Sequence, residues 1–145
     1  MKIVLVNRFF WPDHSATSQL LADLAFHLSG MGVSVDVIAT RLIYDDPSAL
    51  LPSEEVVRNV RVIRVWTTRC GRHNLWGRSL DYLTFYASAA WTLVGLLKPG
   101  DVIVAKTDPP LISVVAAVVA RLRRARLINW IQDLFPEVAL SLGVP

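Results

Sequence analysis

Residues 102–131 read VIVAKTDPPLISVVAAVVARLRRARLINWI. Val102–Ala105 is a short apolar run led by β-branched residues, which makes it a buried strand rather than a helix. Pro109-Pro110 then permits a helix to start, and Leu111–Arg123 supplies one. Its valines would also suit a strand. The 13-residue length argues for helix, as do Arg121, Arg123 and Arg124 at the end where the helix dipole favours cations. Arg126–Ile131 is a second apolar run. Strand, helix and strand in that order form a crossover between parallel neighbours.

The same alternation extends towards the N-terminus. Ile3–Val6 reads as a strand, and a turn-rich segment follows from Asn7 to Ser15. Leu20, Leu21, Leu24, Ala25 and Leu28 then recur at helical spacing until Gly30 or Gly32 ends the helix. Val33–Ala39 is a strand with Asp36 as its only charge, and Thr40–Asn59 is a long connection without sustained period. Val60–Trp66 is another strand, whose Arg61 and Arg64 break the alternation and suggest an edge position. A polar loop covers Thr67–Arg78, and a helix from about Ser79 to Leu97, apolar nearly all round, stops at Lys98-Pro99-Gly100. The pattern implies an α/β domain over residues 1–145, Rossmann-like, with a mostly parallel sheet and helices on both faces.

Composition narrows the function classes. The chain is 53% hydrophobic with a mean hydropathy of +0.43, an excess that needs a fully covered sheet, an interface or a membrane surface. The longest apolar stretch, Tyr82–Leu97, has 16 residues, fewer than the ~20 that span a bilayer. Ile3–Val6 is too brief for a signal-peptide core, so a cytoplasmic location is expected. Cys70 is the sole cysteine, and His14, His27 and His73 show no metal-ligand spacing. A net charge of +3 favours anionic partners such as phosphates or acidic headgroups and is too small to argue for nucleic acid.

In open parallel sheets ligands collect at the carboxyl ends of the strands, and three polar segments fall there. After strand one come Asp13, His14, Ser15, Thr17 and Ser18, which either cap the following helix or hold a hydroxyl-rich or phosphorylated ligand. Phe9, Phe10 and Trp11 precede them in the loop, either as core residues or, as their place in a loop favours, partly exposed to stack on a sugar or enter an interface. Lys106-Thr107-Asp108-Pro109-Pro110 places an acid on a proline-stiffened exit, as a helix start or as a group at a cleft lip. Gln132, Asp133 and Glu137 follow the last strand, again as caps or as a site. No G-x-G-x-x-G or Walker sequence follows strand one and no G-x-S-x-G elbow is present, which disfavours dinucleotide redox, P-loop and serine-hydrolase chemistry.

Phe9-Phe10-Trp11-Pro12-Asp13 with Ala16-Thr17-Ser18-Gln19-Leu20-Leu21, Thr107-Asp108-Pro109-Pro110, and Trp130-Ile131-Gln132-Asp133-Leu134-Phe135-Pro136-Glu137 together resemble glycosyltransferase family 4. The match is to its bacterial branch that builds colanic acid, O-antigen and related surface polysaccharides. The resemblance implies the N-terminal, acceptor-side domain of a two-domain GT-B enzyme that retains anomeric configuration and needs no catalytic metal or other cofactor. The nucleotide-sugar donor would sit mainly on a C-terminal domain beyond residue 145, so this chain would be inactive alone. The acceptor would be a lipid-linked saccharide reached at the membrane's inner face. Asp108 or Asp133 would orient the acceptor or take its proton, while Phe10, Asp13, Ser15, Thr17, Thr107 and Glu137 would bind it. Many relatives carry histidine at the positions of Thr107 and Gln132, and a Gly-Gly pair near Phe10, Trp11 and Pro12. These departures shift the weight to the acids. A module that docks on a separate donor-binding subunit, and an unrelated Rossmann-like nucleotide enzyme, are the alternatives. Apolar surface at the unfilled interdomain cleft would favour self-association of the chain.

Overall fold

The computed structural model describes residues 1–46, 48–71, 74–132, 141 and 143. Its elements are β1 (Ile3–Val6), α1 (Ala16–Gly30), β2 (Val35–Thr40), β3 (Glu54–Val57), β4 (Val60–Val65), α2 (Leu75–Leu96), β5 (Val102–Lys106), α3 (Ile112–Arg123) and β6 (Arg126–Trp130). They build one six-stranded sheet in the order β3-β4-β2-β1-β5-β6. Every pairing is parallel except that of β3 with β4. This is the Rossmann-like α/β architecture expected from the alternation of elements.

Alternate side chains of the strands feed two cores. Leu5, Val37, Val62 and Val104 pack beneath α1 with Leu21 and Ala25. Val4, Val6, Ile38 and Ile103 face the other way, against Phe85, Ala89 and Leu93 of α2 and Ile112 and Ala116 of α3. Helices therefore cover both faces, and β2 is buried along its whole length. That is why its sequence reads as a nearly continuous apolar run.

Two expectations need correction. The connection between Thr40 and Asn59 contains a strand, β3, which turns back on β4 through Arg58 and Asn59, both in the left-handed region at φ 48° and 63°. Two such residues match the twist of a tight hairpin. β4 is consequently not an edge strand. The arginines that suggested an edge are answered by acids of β3: Arg61 pairs with Glu54 at 2.7 Å, and the wholly buried Arg64 side chain pairs with Glu55 at 2.5 Å. The second correction concerns α2, which begins at Leu75 rather than near Ser79. Asn74 caps it, its side-chain oxygen accepting from the Gly77 amide at 2.5 Å.

Registers such as Val6↔Ile38, Thr40↔Val65 and Lys106↔Trp130 line up the carboxyl ends of the parallel strands on one rim. Chain order reverses between the adjacent central strands β1 and β5. The helix after β1 covers one face and the helix after β5 covers the other. The two exits must diverge, and a crevice opens between them.

Candidate functional site

The crevice is built around Arg8, which sequence reasoning missed. Its amide donates to the Asp108 carbonyl at 2.8 Å, and its carbonyl accepts from the Thr40 amide at 2.8 Å. The residue thereby stitches the exits of β5, β1 and β2 together. Its guanidinium lies over the rings of Phe9 and Tyr82, 5.1 and 5.0 Å from their centroids. It also comes within 3.8 Å of the Asp81 carboxylate. Its Nε is buried without a hydrogen-bond partner. An arginine so placed has donor capacity left over for an anionic or hydroxylated group.

Asp81 is the second residue that spacing gave no reason to select, because it stands inside an apolar helix. It is buried, and its Oδ1 accepts from the Thr68 hydroxyl at 2.6 Å and the Cys70 amide at 2.9 Å. A lone acid in an otherwise uncharged helical stretch was the available signal, since a buried carboxylate demands partners. Here they are the loop after β4 and the Arg8 side chain.

Asp108 stands half-buried at the exit of β5. Burial pushes its carboxyl above the ordinary carboxylate range, Asp13 adds to the rise, and Arg8 and Lys106 pull against it. These four charged residues share one neighbourhood, so the structure does gather Asp13 and Asp108 on one rim. Thr107 is half-buried beside Asp108. Lys106 is buried, donates from Nζ to the Thr17 carbonyl at 2.6 Å and lies 4.3 Å from the centre of the Trp130 ring. Burial lowers its ammonium to about 8, with Asp108 opposing that shift. Tyr86 closes the α2 side: its hydroxyl donates to the Pro110 carbonyl, and burial raises it to about 12.

The loop after β1 is placed differently from expectation. Phe10 is a core residue at 1% exposure, packed edge-on against Phe26, and Phe9 is also buried. A side chain in the core cannot stack on a sugar, so Phe10 contributes packing beneath α1. Only Trp11 of the three is exposed. Asp13 is buried as well, and both its oxygens are engaged: Oδ1 accepts from the Ser15 amide at 2.8 Å and Oδ2 from the Tyr44 amide at 2.6 Å. It organises the crevice wall by tying two loops together. The Ser15 side chain makes no cap to α1, and its hydroxyl is buried without a partner. Thr17 is half-buried and uses its carbonyl to hold Lys106. Asp133 and Glu137 lie outside the described residues.

Beside Arg8 the rim widens into a cleft of about 550 Å³ at the exits of β2 and β4. Thr40, Arg41, Trp66, Thr67, Thr68 and Arg69 are among its lining residues. The guanidinium groups and the exposed indole are suited to a saccharide or phosphorylated ligand, whereas the buried Thr40 and Thr67 hydroxyls bond to each other at 3.0 Å and the Thr68 hydroxyl donates to Asp81. None of these residues was singled out from sequence, because they come from separate loops brought together only by the sheet. Among the described residues no group of three or more His, Cys, Asp or Glu could hold a metal ion. No protein-family model and no curated protein matches the chain.

Proposed function

We propose that this chain is the acceptor-binding half of a retaining, nucleotide-sugar-dependent glycosyltransferase of bacterial surface-polysaccharide synthesis. The reading rests on the resemblance of the rim segments to glycosyltransferase family 4. The observation that carries it is the crevice in which Arg8, Asp108 and Lys106 adjoin a cleft lined by Arg41, Trp66 and Arg69. Asp108 would orient the acceptor hydroxyl and draw off its proton, a role its place at the exit of β5 beside Arg8 allows and one that burial, by raising its affinity for a proton, would favour. Arg8 would meet the phosphate of a lipid-linked saccharide, and the Thr68 hydroxyl, which donates to Asp81, would accept from one of its sugar hydroxyls. Asp13 and Thr17 act by shaping the wall. The donor would bind mainly to a second domain, which would also stabilise the departing diphosphate. No described helix is long and apolar enough to cross a membrane, and the reading places the protein peripherally at the cytoplasmic face.

Titration of the isotopically labelled chain with a short-chain sugar-diphosphate-lipid analogue should shift the resonances of Arg8, Thr68 and Asp108. An unmoved spectrum at saturating analogue would overturn the acceptor assignment. With a donor-binding half supplied, Asp108→Asn should lower transfer by at least about a hundredfold, and undiminished transfer would remove Asp108 from the mechanism.

A further inference from the structure

α2 is apolar on two opposite sides. One side enters the core through Phe85, Ala89 and Leu93. The other presents Trp76, Leu80, Leu83, Ala87 and Trp91, which recur at steps of three and four and are all exposed. Trp76 and Trp91 are 87% and 85% exposed. Two indoles so displayed account for roughly 300 Å² or more of apolar area, already the size of the largest such patch on a typical monomer. The neighbouring helix α3 continues the surface with Leu111 just before it and Val114, Val118 and Leu122 along it, also exposed.

Charge identifies the occupant. Asp81 is the one acid in these two helices, and it is buried. Arg78 stands exposed near the start of α2, and Arg121, Arg124 and Arg126 stand exposed at or beyond the end of α3. Among the described residues the exposed acids, Asp23, Asp45, Asp46 and Glu54, lie on α1, on the connection after β2 and on β3. The two helices thus form a face with tryptophans and leucines in its field, arginines at its ends and no exposed carboxylate. A second copy would set these cations against themselves.

We infer that the outer face of α2, continued onto α3, docks this protein on an anionic lipid surface, with the helices lying in the plane of the interface. Indoles favour the headgroup level, and arginines at the margins reach acidic headgroups. The assignment deepens the peripheral placement proposed above. It replaces the Phe9–Trp11 loop, whose phenylalanines are buried, and gives the Arg121–Arg126 cluster a marginal part. Arg78 and Trp76 lie at the end of α2 nearest the crevice, since the Asp81 turn is bonded to the Thr68–Cys70 loop there. A lipid-linked molecule could reach the rim from that side.

Sedimentation of the 145-residue chain with phosphatidylcholine vesicles, with and without phosphatidylglycerol, tests the proposal without reference to sugar transfer. The chain should pellet with the anionic vesicles and much less with the neutral ones. Trp91→Gln and Leu83→Glu, both at exposed positions that the fold does not need, should each weaken the partition by about tenfold, with circular dichroism unchanged. Three results would overturn it: no pelleting with anionic vesicles, equal pelleting with neutral ones, or folded variants that bind as the parent does. Light scattering supplies a fourth. Self-association abolished by Leu83→Glu, without lipid binding, would assign the face to a second copy. Lipid binding with a spectrum unmoved by the acceptor analogue, or analogue binding without lipid binding, would separate the fates of the two readings.

Discussion

Replacing Asp13 by alanine asks whether this acid holds the crevice together or waits for a ligand. Its carboxylate accepts from two backbone amides on different loops, Ser15 at 2.8 Å and Tyr44 at 2.6 Å, and the residue is only 3% exposed. A hydrogen bond to a charged group contributes about 1.5–3 kcal/mol, and a buried donor left without a partner loses that contribution. Water will recover part of the loss, because the two bonds are only part-buried. A net destabilisation of about 2–4 kcal/mol follows. For a domain of this size that corresponds to a fall in Tm of roughly 5–15 °C. Urea unfolding should show a lower midpoint with the slope unchanged, as expected when stability rather than compactness is altered. Hydrogen exchange should show the Tyr44 amide losing protection in the variant. Asp13→Asn, which keeps one acceptor oxygen, should fall between. A free energy for Asp13→Ala within about 0.5 kcal/mol of the parent chain would refute the reasoning. Asp13 would then be returned to the candidates for direct acceptor contact.

Asp108→Asn should leave the chain as stable as before or more so at pH 7, because ionised Asp108 is held in a buried place that favours its protonated form. The sign follows from linkage: the penalty is absent below the unfolded carboxyl value of 3.8, grows as pH rises, and levels off above the raised folded value. Equal midpoints near pH 3 and a higher one for the variant at pH 7 are expected, and a lower midpoint at pH 7 would contradict it. The Lys106 ammonium should titrate near 8 by direct NMR observation rather than near 10.5, with stability rising as pH increases across that interval. Lys106→Met should abolish both effects. Gly77→Ala should destabilise by about 1–3 kcal/mol despite alanine's better helix propensity. A Cβ there would stand 2.4 Å from the Cys70 carbonyl oxygen, and an unchanged midpoint would argue that the loop yields. If the donor does bind elsewhere, the 145-residue chain alone should show no sugar transfer, and measurable turnover would disprove the division of labour.

Element type was legible wherever the chain alternates between apolar runs and helix-length spacers. Val102–Ala105, Leu111–Arg123 and Arg126–Ile131 needed no tertiary information, since strand and crossover helix impose different lengths and breakers. β3 was not legible, because its acids face the arginines of β4 and the resulting pairs look, in sequence, like two unrelated polar segments. Phe10 was misread for the complementary reason. Its place in a loop says nothing about a loop that folds back under α1.

Asp108 could be found from its position after a strand and before paired prolines, and Asp81 as a lone acid in an apolar stretch, but the meeting of Arg8 with Asp81 could not. They lie 73 residues apart and meet only because the exit of β1 and the first turns of α2 reach the same rim. Local chemistry by itself determined the layered αβ body and the rim at which chemistry would sit, because periodicity and chain breakers act within a few residues. Which charges face one another, which acids are already engaged by amides and which apolar helix face stays uncovered were decided by the tertiary structure. Those properties depend on distances between segments remote in sequence, and electrostatics and burial both act through space.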